Sequence, residues 1–400
     1  MKLISKMVII GSVLLYLVAC TNQKNAKEEF SFILAADWRY TAMEKYDSPM
    51  YFRGALEAIE KVGKGAFMIS PGDVEPVDIS HKMISTILGD DYLWYPIMGN
   101  HELEIPSTID YLREINNGGT LLQYVVNKGP EGCEETTFSF DYRNSHFVVL
   151  NQYYDGSSDV GTDGDIVDAL YEWLKNDLEN TDKKHIFVAG HEPIVSIPDM
   201  HNGRHRHIGD SLDKYPRNAF RFHQLLLKHN VTAYLHGHTH STSYANINGL
   251  WQIDCGHTRG TESEYPEKLL SEINERWAKV NNDELLLNNI IKDRYNEGPY
   301  EIKKVMYYMK LTDDISYKIL PDEKGLELFI DFYKKAITLE NNTLDYFQTY
   351  YDNWSVNSST FMKFKVFEDY IAVDIYRNTL NAPDQYSKVK TIQLNNGNCL

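Results

Sequence analysis

Five short polar segments, each directly after an apolar run, contain the residue types that bind metal ions and transfer protons. They are Asp37-Trp38-Arg39, Gly72-Asp73, Gly99-Asn100-His101-Glu102, Gly190-His191 and Gly237-His238-Thr239-His240. Carboxylates, an amide oxygen and imidazoles bind divalent cations, and this mixture of nitrogen and oxygen favours Zn, Mn or Fe over Ca or Mg. We expect the segments to meet at one edge of one sheet and to bind two cations there.

The expected ligands form two sets that share one carboxylate. Asp73, after a tight glycine turn, can bridge two cations about 3.5 to 4 Å apart. Asp37 and His240 join it at the first cation. Asn100, His191 and His238 join it at the second cation. The sequence therefore predicts a dinuclear metal centre.

Strands and helices alternate along the first part of the chain. Short apolar runs predict buried strands at residues 32–36, 66–70, 95–98, 147–150, 186–189 and 231–235. Amphipathic patterns predict helices at residues 51–62, 79–88, 166–178 and 220–228. Such alternation indicates an α/β fold, in which ligands gather at the carboxyl ends of the strands. Every one of the five segments lies at such an end.

The pattern changes after His240. Residues 243–247 and 250–253 predict a hairpin, which turns at Asn248-Gly249. Charged helical patterns at residues 265–296 and 325–335 lie within residues 262–357, and the last strands are predicted within residues 358–400. We therefore expect a core at residues 30–261, a mostly helical insertion, and strands that return to the core. A separate C-terminal domain is the competing interpretation.

The N-terminal residues form a targeting signal. Residues 1–19 combine two early lysines with a short apolar stretch, and Leu17-Val18-Ala19-Cys20 resembles a bacterial lipobox. This implies cleavage before Cys20, a lipid on that cysteine, and a tether at residues 20–29. The protein is then an exported bacterial lipoprotein, anchored in the membrane on its periplasmic or cell-surface side. An ordinary secretory signal is the alternative.

Composition restricts the partners. The formal net charge of −17 over 400 residues argues against nucleic acid as the main partner, because phosphate backbones attract the opposite charge. Cys133, Cys255 and Cys399 remain after lipidation and allow one disulfide and one free thiol. The sequence does not define the oligomeric state.

The segments together resemble the calcineurin-like metallophosphoesterase superfamily, whose pattern runs D-x-H, G-D, G-N-H-D/E, H and G-H-x-H. The resemblance covers about residues 30–260. It implies a two-sheet β-sandwich flanked by helices, with two divalent ions at its top. His101 is then the acid that protonates the leaving oxygen or stabilises the phosphoryl charge. A metal-bound hydroxide attacks a small phosphate ester, in a phosphatase-type hydrolysis.

Arg39 departs from this family pattern, because most members have a histidine ligand there and guanidinium does not bind metal. Purple acid phosphatases also lack that histidine but have a tyrosine three positions after the bridging aspartate, where this chain has Pro76. The first cation is thus left with three protein ligands and is expected to bind weakly. Arg39 has three interpretations: an ion pair with an acidic neighbour, a contact with the substrate phosphate, which we favour, or replacement of the cation.

Other residues are candidates for contact with the substrate. His257 and Arg259 follow a strand near the last motif and are predicted to line the pocket. The loop at residues 201–207 is rich in histidine and arginine and follows the His191 segment. A cyclic-nucleotide or other phosphodiesterase is an alternative function. A non-catalytic, metal-containing binding lipoprotein is a second alternative, although such a protein has no need of the acid His101.

Overall fold

The computed structural model describes residues 27–40, 48–194, 211–240, 242–247, 249–260, 359–379 and 382–395. The predicted signal, Cys20, the loop at residues 201–207 and the insertion at residues 262–357 lie outside the described residues. So does most of the predicted tether.

The described chain forms two β-sheets. The strands are β1 (Glu28–Leu34), β2 (Phe67–Ser70), β3 (Leu93–Pro96), β4 (Val125–Lys128), β5 (Phe138–Tyr142), β6 (Ser145–Val149), β7 (His185–Ala189), β8 (Ala233–His236), β9 (Thr242–Ile247), β10 (Leu250–Cys255), β11 (Thr360–Phe367), β12 (Tyr370–Thr379) and β13 (Ala382–Asn395). One sheet has six strands in the order β13-β12-β11-β1-β2-β3. The other has seven, in the order β4-β5-β6-β7-β8-β10-β9.

An aromatic core joins the two sheets. Phe32 of β1 packs edge-on against Phe147 of β6 and Phe187 of β7, with ring centroids 5.3 and 5.4 Å apart. All three side chains are fully or almost fully buried. Inward-facing residues alternate along the strands, as in a β-sandwich.

Helices cover the outer faces of both sheets. They are α1 (Ser48–Val62), α2 (Val77–Leu88), α3 (Pro106–Ile115), α4 (Asp168–Glu179) and α5 (Pro216–Lys228). Apolar residues of the first three pack with Ile33 and Met68, which lie in the six-stranded sheet. Apolar residues of α4 and α5 pack with Val148 and Val188 of the seven-stranded sheet. The predicted two-sheet α/β fold flanked by helices is confirmed.

The five polar segments come from both sheets, so the expectation of one sheet edge was wrong. β1, β2 and β3 are parallel neighbours, and the first three segments follow them. β7 and β8 are parallel neighbours in the other sheet and lead to His191 and His238. Short apolar runs look alike whichever sheet they join, because sheet membership depends on distant pairing partners.

The C-terminal strands complete the six-stranded sheet. β11 pairs antiparallel with β1, and Phe364 lies opposite Phe32. β12 and β13 extend the sheet outward. β1 therefore lies between β2 and a strand more than 300 residues later in the chain.

A buried charged cluster links the seven-stranded sheet to α4. His146 Nδ1 lies 2.7 Å from Asp141 Oδ1, and His146 Nε2 lies 2.9 Å from Asp177 Oδ2. Burial alone would lower the pKa of His146, but its bonds to the two carboxylates raise the pKa to about 9. The ring is therefore an imidazolium that donates to one carboxylate on each side at neutral pH.

The described cysteines form no disulfide. Cys133 and Cys255 are buried free thiols, and Cys399 lies outside the described residues. Among the described helices, none is long and apolar enough to cross a bilayer.

Candidate active site

The loops that leave the strands have unusual backbone conformations. Asp37, Arg39, Asp73, His238 and His240 all have positive φ, between 44° and 72°. Residues with a β-carbon rarely adopt this left-handed region, and such strain concentrates at functional sites. The five residues thus mark the region where the two sheets converge.

Four atoms that can bind a metal ion come together from four different loops, and we call this place the second position. Asn100 Oδ1 lies 3.1 Å from His191 Nε2 and 3.2 Å from His238 Nδ1. His191 Nε2 lies 3.1 Å from His238 Nδ1 and 3.4 Å from Asp73 Oδ1. The atoms of Asn100, His191 and His238 are as far apart as ligands that lie about 2.0 Å from one divalent cation, and Asp73 approaches them beside His191.

The proton on His191 can be assigned from its outer contact. Its Nδ1 lies 2.7 Å from the carbonyl oxygen of Pro71, which only accepts, so Nδ1 carries the hydrogen. In the neutral ring, Nε2 then has a bare lone pair facing the oxygens of Asn100 and Asp73. Acceptors that face one another without a proton repel unless a cation lies between them. The second position therefore fits a divalent cation.

Asp37, Asp73 and His240 form the first position. One ligand atom of each lies within 4.8 Å of the others, and all three side chains are buried. Asp37 also accepts from the backbone N–H of His238, at 3.2 and 3.3 Å. Its Oδ1 lies 3.5 Å from His240 Nε2. On the other side of that ring, Arg259 Nη2 lies 2.9 Å from His240 Nδ1.

The two aspartates have opposite electrostatic surroundings. Burial, reinforced by the charges of Asp73 and Asp254, raises the pKa of Asp37 well above its usual range, and Arg259 opposes this. Burial alone would also raise the pKa of Asp73. There the interactions with His191, His101 and Arg39 outweigh burial and lower the pKa.

Arg39 lies beside the imidazole of His101. Its Nε donates to the buried Glu75 at 3.1 Å, and its Nη2 lies 2.8 Å from His101 Nδ1. The same Nδ1 lies 2.9 Å from Glu104 Oε1. Guanidinium only donates and carboxylate only accepts, so Nδ1 can bond one of them at a time. The predicted ion pair of Arg39 with an acidic neighbour is present, and its predicted contact with substrate stays a prediction.

Glu102 has a role that the sequence did not reveal. Its carboxylate accepts the backbone N–H groups of Gly99 at 2.6 Å, Val74 at 2.7 Å and Asp73 at 3.0 Å. It thus joins the loop after β2 to the loop after β3. Its side chain is fully buried and faces the backbone of Asp73, although Glu102 is next to His101 in the sequence.

Gln152 is a supporting residue that sequence reasoning missed. Its Oε1 accepts the backbone N–H groups of His191 and Glu192, at 2.8 and 2.6 Å. Gln152 comes shortly after β6, at the carboxyl end of a strand like the recognised motifs. A polar residue in this position is the sequence feature that could have identified it. Asp254 similarly holds the last motif, because it accepts from the Thr239 hydroxyl at 2.5 Å.

His257 and Arg259 lie deeper than the predicted pocket wall. Their side chains are 1% and 0% exposed. The rings of His257 and His240 lie 6.3 Å apart, and the guanidinium of Arg259 contacts the same His240. The structure therefore brings both residues to the first position and not to a surface that a substrate would reach.

The fold and the converging ligands agree with the comparison to known families. Residues 35–242 match the family of calcineurin-like phosphoesterases, over more than half of the 400 residues. The chain belongs to this family, and the resemblance seen in its motifs is confirmed. It is therefore a phosphoester hydrolase of a family that uses divalent metals.

Several solved structures are similar at low identity. GAP50, described as the anchor in the inner membrane complex of Plasmodium, is 11% identical with a TM-score of 0.47, over 92% of this chain and 89% of that one. The purple acid phosphatase PPD1 of yellow lupin is 11% identical with a TM-score of 0.46, and the match covers 92% of this chain and 54% of that one. PhoD is 11% identical with a TM-score of 0.44, and the match covers 91% of this chain and 72% of PhoD. A search of curated protein sequences gave no match.

Proposed function

We propose that this protein is a phosphatase, which hydrolyses small phosphate monoesters beside a divalent cation held at the second position. The observation that carries this proposal is the approach of metal-binding side chains from Asp73, Asn100, His191 and His238, with the bare Nε2 of His191 facing the oxygens of Asn100 and Asp73. A divalent cation bound there supplies positive charge to the phosphoryl oxygens and acidifies water. Zn, Mn and Fe suit this donor set best.

His101 is the proposed acid for the leaving group. In the acid form that the proposal requires, both ring nitrogens carry hydrogen: Nδ1–H faces Glu104 Oε1 at 2.9 Å, and Nε2–H is the proton offered to the leaving oxygen. The water oxygen forms a bond to phosphorus while the ester P–O bond breaks, and the electron pair leaves with the ester oxygen. The proton from Nε2 neutralises that oxygen. The attacking water releases one proton to solvent, and the ring takes one up from solvent, so the net products are an alcohol and inorganic phosphate.

Arg39 favours a monoester over a diester. A monoester carries about 1.5 to 2 negative charges at neutral pH, more than a diester. The Arg39 side chain is 18% exposed, and its bond to the buried Glu75 fixes the guanidinium next to the His101 ring. A fixed guanidinium beside the acid adds positive charge where the monoester needs it.

The test is a comparison of esters and variants. The full chain is assayed with added Mn²⁺ or Zn²⁺ on p-nitrophenyl phosphate, on an alkyl phosphate and on the bis(p-nitrophenyl) diester. We expect the monoesters to be preferred. His101→Ala should reduce alkyl phosphate hydrolysis by about 10²- to 10⁴-fold. It should reduce p-nitrophenyl phosphate hydrolysis less, because that leaving group is stable as an anion.

His229→Ala is the matched control. His229 ends α5 and comes before β8, whose opposite end leads to the site. It should leave both rates unchanged. Diester turnover above monoester turnover would favour the phosphodiesterase alternative. Absence of metal-dependent turnover on every ester would instead favour the binding lipoprotein, and equal activity of His101→Ala would refute the acid assignment.

We also propose that the enzyme is anchored by lipid at Cys20 and acts outside the cytoplasmic membrane. The support is the sequence around Leu17-Val18-Ala19-Cys20. Labelled palmitate should be incorporated into the full chain in a bacterial host and not into Cys20→Ala. Equal labelling of both chains would contradict the anchor.

A further inference from the structure

The first position contains an arginine where the donor set alone suggests only a metal site. Arg259 is fully buried, and its Nη2 lies 2.9 Å from Nδ1 of the proposed ligand His240. A guanidinium stays protonated in proteins and has no acceptor. The contact therefore has one polarity, with Arg259 donating to the lone pair of His240 Nδ1.

This contact determines which nitrogen of His240 carries the proton. With Nδ1 as the acceptor, the neutral ring holds its hydrogen on Nε2. That nitrogen lies 3.5 Å from Asp37 Oδ1, on the side of the first position. A protonated nitrogen cannot bind a metal ion, so in this arrangement His240 turns an N–H, and not a lone pair, toward Asp37.

His191 provides an internal comparison within the same site. Its outer nitrogen faces the carbonyl oxygen of Pro71, which leaves the inner nitrogen bare. The outer nitrogen of His240 faces a guanidinium, which leaves the inner nitrogen protonated. The partner of the outer nitrogen thus leaves His191 able to bind a cation and His240 unable to do so.

We propose that the first position holds no tightly bound metal ion, because the buried Arg259 guanidinium supplies the positive charge there and keeps His240 protonated toward Asp37. The enzyme is then mononuclear, with one divalent cation at the second position. This inference rests on the proposed function, which requires that one cation. Arg259 is a positioning residue, since it acts through His240 and Asp37.

Metal counting tests this directly. The full chain is stripped with a chelator and titrated with Mn²⁺, and bound metal is measured by calorimetry and elemental analysis. We expect one tight equivalent, with any second equivalent about 100-fold weaker or more, since a fixed positive charge repels a dication. The electron paramagnetic resonance spectrum should show an uncoupled Mn²⁺ ion. Two tight equivalents, or a spin-coupled pair, would overturn the proposal.

Variants separate this inference from the proposed function. His240→Gln should still bind one equivalent, and loss of that equivalent would show that His240 is a ligand. Arg259→Gln removes the charge and offers an acceptor to Nδ1–H, so a second equivalent should bind. Arg259→Lys keeps the charge and should stay at one. His191→Ala should lose the tight ion, and failure of the parent chain to bind any ion would refute the proposed function instead.

Discussion

The carboxylate of Glu102 offers a prediction about stability that can be worked from three bonds. Glu102→Gln replaces one oxygen by an NH₂ group in a site where every partner is a donor. The new NH₂ group is expected to face Val74 N–H, because this orientation loses one hydrogen bond and the other orientation loses two. The remaining oxygen then keeps the bonds from Gly99 and Asp73. Two buried donors, the new NH₂ and the N–H of Val74, then face each other without an acceptor.

The size of the effect follows from those two donors. An unsatisfied buried polar group costs about 1 to 3 kcal/mol, so we expect a loss of at least ~2 kcal/mol in the free energy of unfolding. In a domain of this size, that lowers the thermal midpoint by about 4 to 8 °C. Urea unfolding should show a lower midpoint with an unchanged slope, because the surface exposed on unfolding stays the same.

Glu104→Gln is the control for this prediction. Glu104 lies two residues away in the same short 3₁₀ turn, Glu102–Glu104, and its side chain is 61% exposed. Its substitution should change the free energy of unfolding by no more than about 0.5 kcal/mol. Equal unfolding midpoints for Glu102→Gln and the parent chain would refute the role assigned to the buried carboxylate.

Two further predictions concern His146 and Gly72. Folding raises the pKa of His146 to about 9, so the protonated ring stabilises the folded chain. This stabilisation is complete below a pH near the ordinary pKa of about 6.5, and it is lost as the pH rises through about 9. The thermal midpoint should therefore fall over that range in the parent and not in His146→Gln. Gly72→Ala would place a Cβ 2.3 Å from His191 Nδ1 and should weaken Mn²⁺ binding by about tenfold or more. Gly156→Ala, with equally positive φ but open space, should leave binding unchanged in the same titration.

The positions of the site segments could be predicted because their chemistry is local. Each segment follows an apolar strand and contains glycine or a polar residue at the turn, which sequence periodicity detects. Asn100, His191 and His238 were placed in one ligand set, and the structure brings their donor atoms within 3.2 Å of one another. The short strands β4 and β5 and the helix α3 are absent from the sequence prediction. β4 has only four residues, and its two valines are adjacent and so give no alternating pattern.

Other features depend on contacts between distant residues, and no local pattern encodes them. Glu102 is adjacent to His101 in sequence, yet its carboxylate turns toward the backbone of Asp73. The proton on His240 depends on Arg259, which is 19 residues later. Residue types show which groups can bind a metal ion. Whether a histidine nitrogen has a free lone pair for that ion depends on the partner of the other ring nitrogen, which only the structure shows.

The pairing of β1 with β11 has a consequence for how much of the chain the active site needs. β1 leads to Asp37, and residues 360–367 cover one edge of β1. Without them β1 is an exposed edge strand, open to pairing with another chain. We therefore expect a chain that is cut before β11 to aggregate and not to hydrolyse the substrate, although every proposed ligand precedes the cut.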